Sequence, residues 1–158
     1  MKTKLTLFVT VLATVLFGAG CASIPKEPPI PQAVKFNGHW YAVLPEICDW
    51  ETANKKCERL GGHLAYVETQ EENSFILGLT QKFGVTSGGI WLGGTDEKNE
   101  GDWLWLNGKP IINAFWAGGQ PGRGNYLLMF CGKTAQSSKG YWIVDISKGE
   151  SPVVCEWE

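Results

Sequence analysis

The sequence predicts an α+β domain, because two segments with helical spacing are followed by short apolar segments and glycine-rich loops. The chain has 158 residues, of which 44% are hydrophobic, and it contains 8 tryptophans and 20 glycines. That apolar content suits one domain with its own hydrophobic core. The net charge of −2 gives no attraction for polyanions, so we expect no nucleic-acid partner.

The first 20 residues predict an export signal rather than part of the fold. Two lysines precede an apolar run over residues 5–20, and small residues then lead to Cys21. This ending resembles a bacterial lipobox, although Gly18 stands where that motif usually has leucine. We therefore expect Cys21 to be the lipidated N-terminus of an exported bacterial lipoprotein, in the outer membrane or at the cell surface. The alternative is an ordinary signal peptide cleaved near Ala19 or Ala22.

Residues 21–35 predict a tether between the membrane and the domain. Four prolines lie in this segment and large apolar residues are few, which favours an extended, stiff chain of about 3 Å per residue. The predicted organisation is thus a signal peptide at 1–20, a lipidated cysteine and proline-rich tether at 21–35, and a globular domain at 36–158.

The domain begins with a predicted strand and a first helix. Residues 36–44 alternate as a strand does, after a turn at Asn37-Gly38. Asp49 is the expected N-cap of the first helix, and a glycine pair at 61–62 ends it. Four apolar side chains share one face of this helix at helical spacing. They are Trp50, Ala53, Cys57 and Leu60.

A short strand at 63–67 and a second helix follow. Thr69 and Glu72 have the spacing of a capping box, in which each side chain binds the backbone N–H of the other residue. The buried stripe of this helix is predicted at helical spacing. It comprises Phe75, Ile76, Leu79 and Phe83.

A tryptophan-rich stretch forms the predicted centre of the sheet. Apolar residues 90–92 end at a glycine pair, an acidic turn covers 96–102, and Trp103 and Trp105 then alternate with leucines. Further strands are expected at residues 103–106, 126–130, 141–146 and 153–157. After Gly84 we expect no further long helix.

Segments spread over the whole domain resemble the motifs of C-type lectin-like domains. They are residues 39–41, 50–65, 69–75, 91–94 and 155–157. The run Trp91-Leu92-Gly93-Gly94 is similar to the "WIGL" centre of that family. The resemblance implies two helices flanking short antiparallel sheets, with a long glycine-rich loop region.

The resemblance also implies a disulfide between Cys57 and Cys155, joining the first helix to the last strand. Closing a loop of about 100 residues stabilises a fold by roughly 4–5 kcal/mol in the chain-entropy model, which is disputed. The family's second bridge is missing, because Tyr126 stands where its first cysteine would be. Cys48 and Cys131 remain, and they either pair with each other or stay as buried thiols.

Many members of this family bind calcium through a proline-containing loop and an acidic strand. Calcium requires six to eight oxygen ligands, several of them carboxylates. Here the loop reads Gln120-Pro121-Gly122, in which the first ligand is neutral and the third residue has no side chain. The family's proline is usually cis, and we expect the loop geometry to persist.

The strand that should supply further calcium ligands is depleted as well. In one register its two ligand positions are Ile143 and Val144, and in another Asp145 keeps the aspartate. At best Gln120 and Asp145 survive, together with Asn125. One carboxylate supplies too little negative charge for calcium, so we expect no metal at this position and no cofactor.

Acidic residues of the turn match an auxiliary calcium site of the family in part, but Arg123 stands where a further acid would be. We therefore expect a solvated acidic turn without metal. Its members are Asp96, Glu97, Glu100 and Asp102.

Trp116 and the loop after it are the remaining candidates for ligand contact. Most of the tryptophans lie in predicted strands or helices, where a core position is the simpler interpretation. Trp116 precedes a glycine-rich loop and either packs in the core or stacks on a sugar. With Gln120, Arg123, Asn125 and Asp145, it makes up the predicted ligand-binding set.

Catalytic motifs are lacking in the sequence, so we expect no enzyme and no catalytic residue. His39 and His63 are predicted to be structural, no serine has the context of a nucleophile elbow, and no cluster has zinc spacing. The leading hypothesis is an envelope-anchored binding module for a glycan or a protein, independent of calcium. The alternatives are a structural lipoprotein that packs against a partner, and an enzyme similar to the formylglycine-generating group.

Overall fold

The computed structural model describes residues 27–132, 139–145 and 149–158. The predicted signal peptide, Cys21 and the first part of the predicted tether, up to residue 26, lie outside these residues. Within them, the chain forms two helices and eight strands. The helices are α1 (Trp50–Arg59) and α2 (Gln70–Lys82); the strands are β1 (Val34–Phe36), β2 (His39–Cys48), β3 (His63–Leu64), β4 (Gly89–Thr95), β5 (Leu104–Trp105), β6 (Tyr126–Phe130), β7 (Trp142–Asp145) and β8 (Ser151–Trp157).

The strands join into one sheet with the order β1-β2-β8-β4-β6-β7. β3 pairs with β8, and β5 pairs with β4. The predicted α+β class is confirmed, but the sheet is not wholly antiparallel, because β4 meets the C-terminal strand β8 in parallel at Trp91 and Val153. The last strand, β8, thus lies between β2 from the start of the domain and β4 from its middle.

The hairpin of β1 and β2 differs from the predicted tether boundary. Val34 and Lys35 pair with Tyr41 and Trp40, so these two residues belong to the sheet rather than to a spacer. The turn between the strands uses Asn37 at a φ of 47°, which asparagine tolerates better than most residues. Because four prolines lie just upstream, the sequence pattern of this short strand was assigned to the proline-rich tether.

α1 follows the predicted pattern at its start and departs from it at its end. The Asp49 carboxylate accepts a hydrogen bond from the Thr52 amide, 2.8 Å away, as an N-cap does. Cys57 is buried and bonded to Cys155 of β8, which confirms the predicted disulfide. Leu60 caps the C-terminus and is 38% exposed, because the helix ends before its side chain turns to the core.

α2 begins with the predicted capping box between Thr69 and Glu72. Ile76 is fully buried, whereas Phe75 is only half-buried and stacks on Phe36 of β1, with ring centroids 4.3 Å apart. The buried face also holds Asn73, whose amide binds two groups at the start of β7. Its oxygen accepts from the Trp142 indole at 2.9 Å and its nitrogen donates to the Gly140 carbonyl at 2.9 Å.

The tryptophans predicted for the core are buried except for Trp40, which is half-buried at the edge of the core. Trp105 and Trp142 meet edge to face with centroids 5.7 Å apart, and Trp91 donates its indole N–H to the Cys48 carbonyl at 2.8 Å. Gly93 lies where a side chain would approach the Leu64 carbonyl to 2.6 Å, so the glycine pair is required by close packing. Cys48 and Cys131 are free thiols, which resolves the pairing that the sequence left open.

Candidate functional site

The glycine-rich loop before β6 has the geometry expected for a binding loop. The Gln120–Pro121 peptide bond is cis, and Gly119 takes a φ of 81° that other residues rarely adopt. The loop leaves the core at Ala117, whose amide donates to the Trp142 carbonyl at 2.9 Å. The loop is therefore anchored to β7 at its start.

The side chain of Gln120 is hydrogen-bonded to the backbone. Its side-chain oxygen accepts from the Gly122 amide at 3.0 Å and from the Val144 amide at 3.2 Å. These two bonds close the loop on itself and fasten it to β7. The same oxygen is the neutral ligand that would have to serve calcium.

Asn125 and Asp145 come to the same end of the sheet as Gln120. Asp145 is the register partner of Tyr126, the residue after Asn125, and it directly follows Val144. Asn125 is half-buried, and its backbone carbonyl accepts from the Asp96 amide at 3.3 Å. The fold thus brings three of the predicted polar residues together.

Arg123 and Trp116 take different positions relative to this group. Arg123 is exposed within the loop. Trp116 is half-buried, and its ring meets those of Trp103 and Trp142 edge to face, with centroids 5.1 Å and 5.9 Å apart. Trp116 therefore supports the loop from beneath, which favours the core interpretation that the sequence left open.

The residues at this loop do not fit the calcium ion that the family resemblance implies. Gln120 uses its oxygen for two backbone amides, and Gly122 offers no side-chain ligand. Over residues 27–132, 139–145 and 149–158, no group of three or more histidine, cysteine, aspartate or glutamate side chains is placed to hold a metal. This loop therefore does not supply the set of oxygen ligands that calcium requires.

The acidic turn is less uniform than the sequence predicts. Glu97, Glu100 and Asp102 are exposed, as expected for a solvated turn, but Asp96 is only 4% exposed. One oxygen of Asp96 accepts from the Gly101 amide at 2.8 Å and so closes the turn. This residue shapes the loop from within.

A buried polar cluster around Glu156 was missed by sequence reasoning. Glu156 is 2% exposed; its Oε1 lies 2.6 Å from Nδ1 of His39 and accepts from the Tyr41 hydroxyl at 3.1 Å, while its Oε2 accepts from the Tyr66 amide at 2.8 Å. Burial raises the pKa of Glu156, and the bond to His39 opposes that rise. A glutamate inside an apolar strand was the available signal.

His63 shares the structural role that the sequence predicted for both histidines. Its Nδ1 lies 2.9 Å from the Leu64 carbonyl, and its ring stacks on Tyr66 with centroids 4.2 Å apart. His39 is structural too, but in the Glu156 cluster rather than alone. Both rings thus serve the packing of β2 and β3 against β8.

The comparison with protein families decides the identity of this fold. Residues 47–157 match the model of the Lectin C-type domain. The chain belongs to the C-type lectin domain family.

Relatives of known name support this assignment. A perlucin-like protein from Mytilus galloprovincialis is 32% identical over 122 residues, which cover 77% of this chain and 76% of that protein. Mouse C-type lectin domain family 4 member F is 40% identical over 90 residues, but these span only 16% of its length. The mouse protein is thus much longer than the stretch that it shares with this C-type lectin domain.

Solved structures agree with the fold. The carbohydrate-recognition domain of mouse scavenger receptor C-type lectin superposes with a TM-score of 0.71 at 25% identity, covering 82% of this chain and 97% of that one. Several of the proteins found by comparison are named as lectins or for carbohydrate recognition. In the part of the chain that the structure describes, no helix is both long and apolar enough to cross a membrane.

Proposed function

We propose that this C-type lectin domain is a glycan-binding module that works without calcium and is held at the bacterial envelope through a lipidated Cys21. The observation that carries the proposal is the state of Gln120, whose side-chain oxygen is committed to the Gly122 and Val144 amides. A loop closed by its own hydrogen bonds needs no metal to hold its shape.

Support for a glycan comes from the relatives and from the groups near the loop. The matched domain of the mouse scavenger receptor is named for carbohydrate recognition. Here Arg123 is exposed in the loop, and Asn125 and Asp145 are half-buried at the end of the sheet that the loop joins, which supplies both donors and acceptors for sugar hydroxyls. These three side chains are the proposed contacts, and Gln120 and Trp116 position the loop that carries them.

The proposed function involves no catalysis. The Glu156 carboxylate, which lies against half-buried His39, is packed inside the sheet and is 2% exposed. A general acid or base must reach the proton that it transfers, and a carboxylate at this depth meets only protein groups. The cluster is thus better suited to stabilising the fold.

Screening on a glycan array with the chain lacking its first 21 residues, which keeps every described element, tests the proposal. We expect binding in EDTA to equal binding in about 5 mM calcium, and no shift of the melting temperature on adding calcium, because a ligand stabilises only the state that binds it. A rise of the melting temperature with calcium would contradict the metal-free mechanism.

Two variants separate glycan contact from general damage. Arg123→Ala should weaken binding to the best glycan on the array by about fivefold, the effect of losing one charge-assisted hydrogen bond. Arg59→Ala, which removes an exposed arginine at the end of α1, is the matched control and should leave binding unchanged. If no glycan binds in either buffer, the domain is instead a structural lipoprotein that packs against a protein partner.

Membrane attachment has its own test. The full-length chain should fractionate with membranes and incorporate labelled palmitate, and Cys21→Ser should abolish both. Two or more acyl chains are needed for stable anchoring, so the lipoprotein form should resist extraction by salt. Release of the unchanged chain into the soluble fraction would refute the anchor while leaving the glycan proposal intact.

A further inference from the structure

The Tyr41 hydroxyl joins two glutamates that come from different elements. Tyr41 is fully buried on β2, and its hydroxyl oxygen lies 3.1 Å from Oε1 of Glu156 on β8 and 3.3 Å from Oε1 of Glu72 on α2. A tyrosine hydroxyl has a single hydrogen, so it can donate to only one of these carboxylates at a time. The second contact is a hydrogen bond only when the other carboxyl group carries a proton of its own.

Glu72 is bound through its other oxygen to the start of α2. Its Oε2 accepts from the Glu68 amide at 2.9 Å and from the Thr69 amide at 3.1 Å, while Oγ1 of Thr69 accepts from the Glu72 amide at 3.1 Å. Backbone donors at a helix N-terminus favour a carboxylate acceptor. Glu72 therefore connects the Tyr41 hydroxyl to the first turn of the helix.

Glu156 is the member of the pair that is suited to hold the additional proton. It is 2% exposed, and burial raises its pKa, although the bonds from His39 and the Tyr66 amide oppose that rise. With a proton on Glu156, the hydrogen of Tyr41 is free to bind Glu72. Without that proton, two carboxylates compete for one hydrogen and repel each other.

No permanently charged side chain fixes the ionisation of Glu156. Among the described residues, the ion pairs of Glu156 and Glu158 involve histidines alone, with His39 Nδ1 at 2.6 Å from Glu156 and His63 Nε2 at 3.9 Å from Glu158. The charge of the Glu156 cluster therefore depends on pH. The titratable groups around Glu156 are His39 and Tyr41 of β2, His63 of β3, Tyr66, Glu72 of α2, and Glu158 at the chain end.

We propose that the Glu156 cluster is a pH-sensitive latch on the start of α2, closed while it holds one additional proton and opened when that proton is lost. Because the folded-state pKa of Glu156 is raised, the closed form is favoured at low pH and is lost as pH rises through that pKa. In the open form the hydrogen of Tyr41 goes to Glu156, which is sealed from solvent. Glu72 then turns toward solvent, and its bonds to the Glu68 and Thr69 amides weaken.

Amide signals of ¹⁵N-labelled protein between about pH 5 and about pH 8 test the latch, since carboxylates of ordinary pKa stay ionised over this range. We expect the Thr69 signal to shift, and its hydrogen-exchange rate, corrected for the intrinsic effect of pH, to rise about fivefold as one hydrogen bond is weakened. The Thr52 amide is the internal control, because it donates to the Asp49 carboxylate at 2.8 Å at the start of α1. A Thr69 signal as constant as that of Thr52 would overturn the proposal.

Two variants should hold the latch in opposite states. Glu156→Gln carries its own donor, leaves the hydrogen of Tyr41 to Glu72, and should keep the Thr69 signal near its acid position at every pH. Tyr41→Phe lacks the hydroxyl and should keep that signal near its alkaline position. An unchanged Thr52 signal shows that each variant is folded.

Glu71→Gln is the matched control, because it changes an exposed glutamate in the same turn of α2 and should leave the pH transition intact. A transition that persists in Glu156→Gln would show that a histidine drives it, and would overturn the assignment to Glu156. Loss of the transition in Glu71→Gln would show a general effect of charge at the helix start, and would refute the latch. Neither measurement uses a glycan, so the latch and the proposed function can fail separately.

Discussion

The two ends of α1 are fastened to the sheet in different ways. At the C-terminal end, Cys57 is bonded covalently to Cys155 of β8. At the N-terminal end, Trp50 stacks on Tyr126 and donates its indole N–H to the Leu92 carbonyl. One helix thus carries a bond that limits the unfolded chain and a contact that exists only in the folded one.

The difference between the two ends shows how a covalent bridge and a packed contact stabilise a helix in different ways. A disulfide acts mainly by reducing the entropy of the unfolded chain. A stacked aromatic pair stabilises through burial and geometry. Beside the stacked pair, a cavity of about 180 Å³ remains next to Tyr126.

Removing the covalent end should have the largest effect. With Cys57→Ala and Cys155→Ala together, we expect the free energy of unfolding to fall by about 4–5 kcal/mol, because the bridge closes a long loop. Urea titration measures this loss. Cys48→Ala, which removes a free thiol, should cost about 1 kcal/mol or less. A double variant as stable as the Cys48 control would show that the bridge adds nothing.

Weakening the packed end should cost less. Trp50→Phe removes the indole N–H and leaves the Leu92 carbonyl unpaired in the core, with a small void. We expect a loss of about 2–3 kcal/mol in the free energy of unfolding, measured by the same titration. A loss as large as that of the double cysteine variant would mean that packing and bridge are equivalent fasteners.

The pH dependence of stability sharpens the comparison at β8, where Glu156 follows Cys155. Burial raises the folded-state pKa of Glu156 above its usual 4.5. The stability this confers is fully present below the unfolded pKa and is lost as pH rises through the folded pKa.

Relative to Glu156→Gln, the unchanged protein should therefore lose up to about 1.4 kcal/mol for each pH unit between those two values. Unfolding at several pH values from about 4 to 7 measures the difference. Glu158→Gln, an exposed neighbour, serves as the control and should show no such slope. A stability difference that grows in favour of the unchanged protein as pH rises would contradict the effect of burial.

The smallest effect is expected from the hydroxyl of Tyr126. Tyr126→Phe keeps the stack on Trp50 and removes only the bond to the exposed Glu97. We expect a change of about 0.5 kcal/mol or less in the free energy of unfolding. If the loss approached that of Trp50→Phe, the hydroxyl rather than the stack would be what holds this end.

Local signals in the sequence were sufficient for the elements that depend on them. Asp49, Thr69 and Glu72 cap the helices as predicted, since a cap needs only neighbouring residues. The strand at β6 matches its predicted bounds. The burial of Asp96 was not foreseen, because its backbone pairs with Asn125, which is distant in sequence. The strand at β1 was not foreseen, because it directly follows a proline-rich segment.

The sequence named the polar residues of the loop, and their part in binding stays a prediction. Gln120, Asn125 and Asp145 do meet at one end of the sheet. The sequence could not show that the side-chain oxygen of Gln120 accepts hydrogen bonds from the Gly122 and Val144 amides, since both bonds depend on how the loop folds. Nor could it show the cavity next to Tyr126, which requires Trp50 and Gly149 to approach from separate parts of the chain.

By itself, the sequence determined the α+β class, the family, the Cys57–Cys155 bond and both helix starts. The class and the helix starts follow from periodicity and caps, which act over a few residues. The family and the disulfide follow from the order of motifs that recur across the family. Tertiary structure alone decided the parallel pairing of β4 with β8, the contact of buried Glu156 with half-buried His39, and the stack of Trp50 on Tyr126. These contacts join residues far apart in the chain, and their energy appears only once the sheet has brought them together.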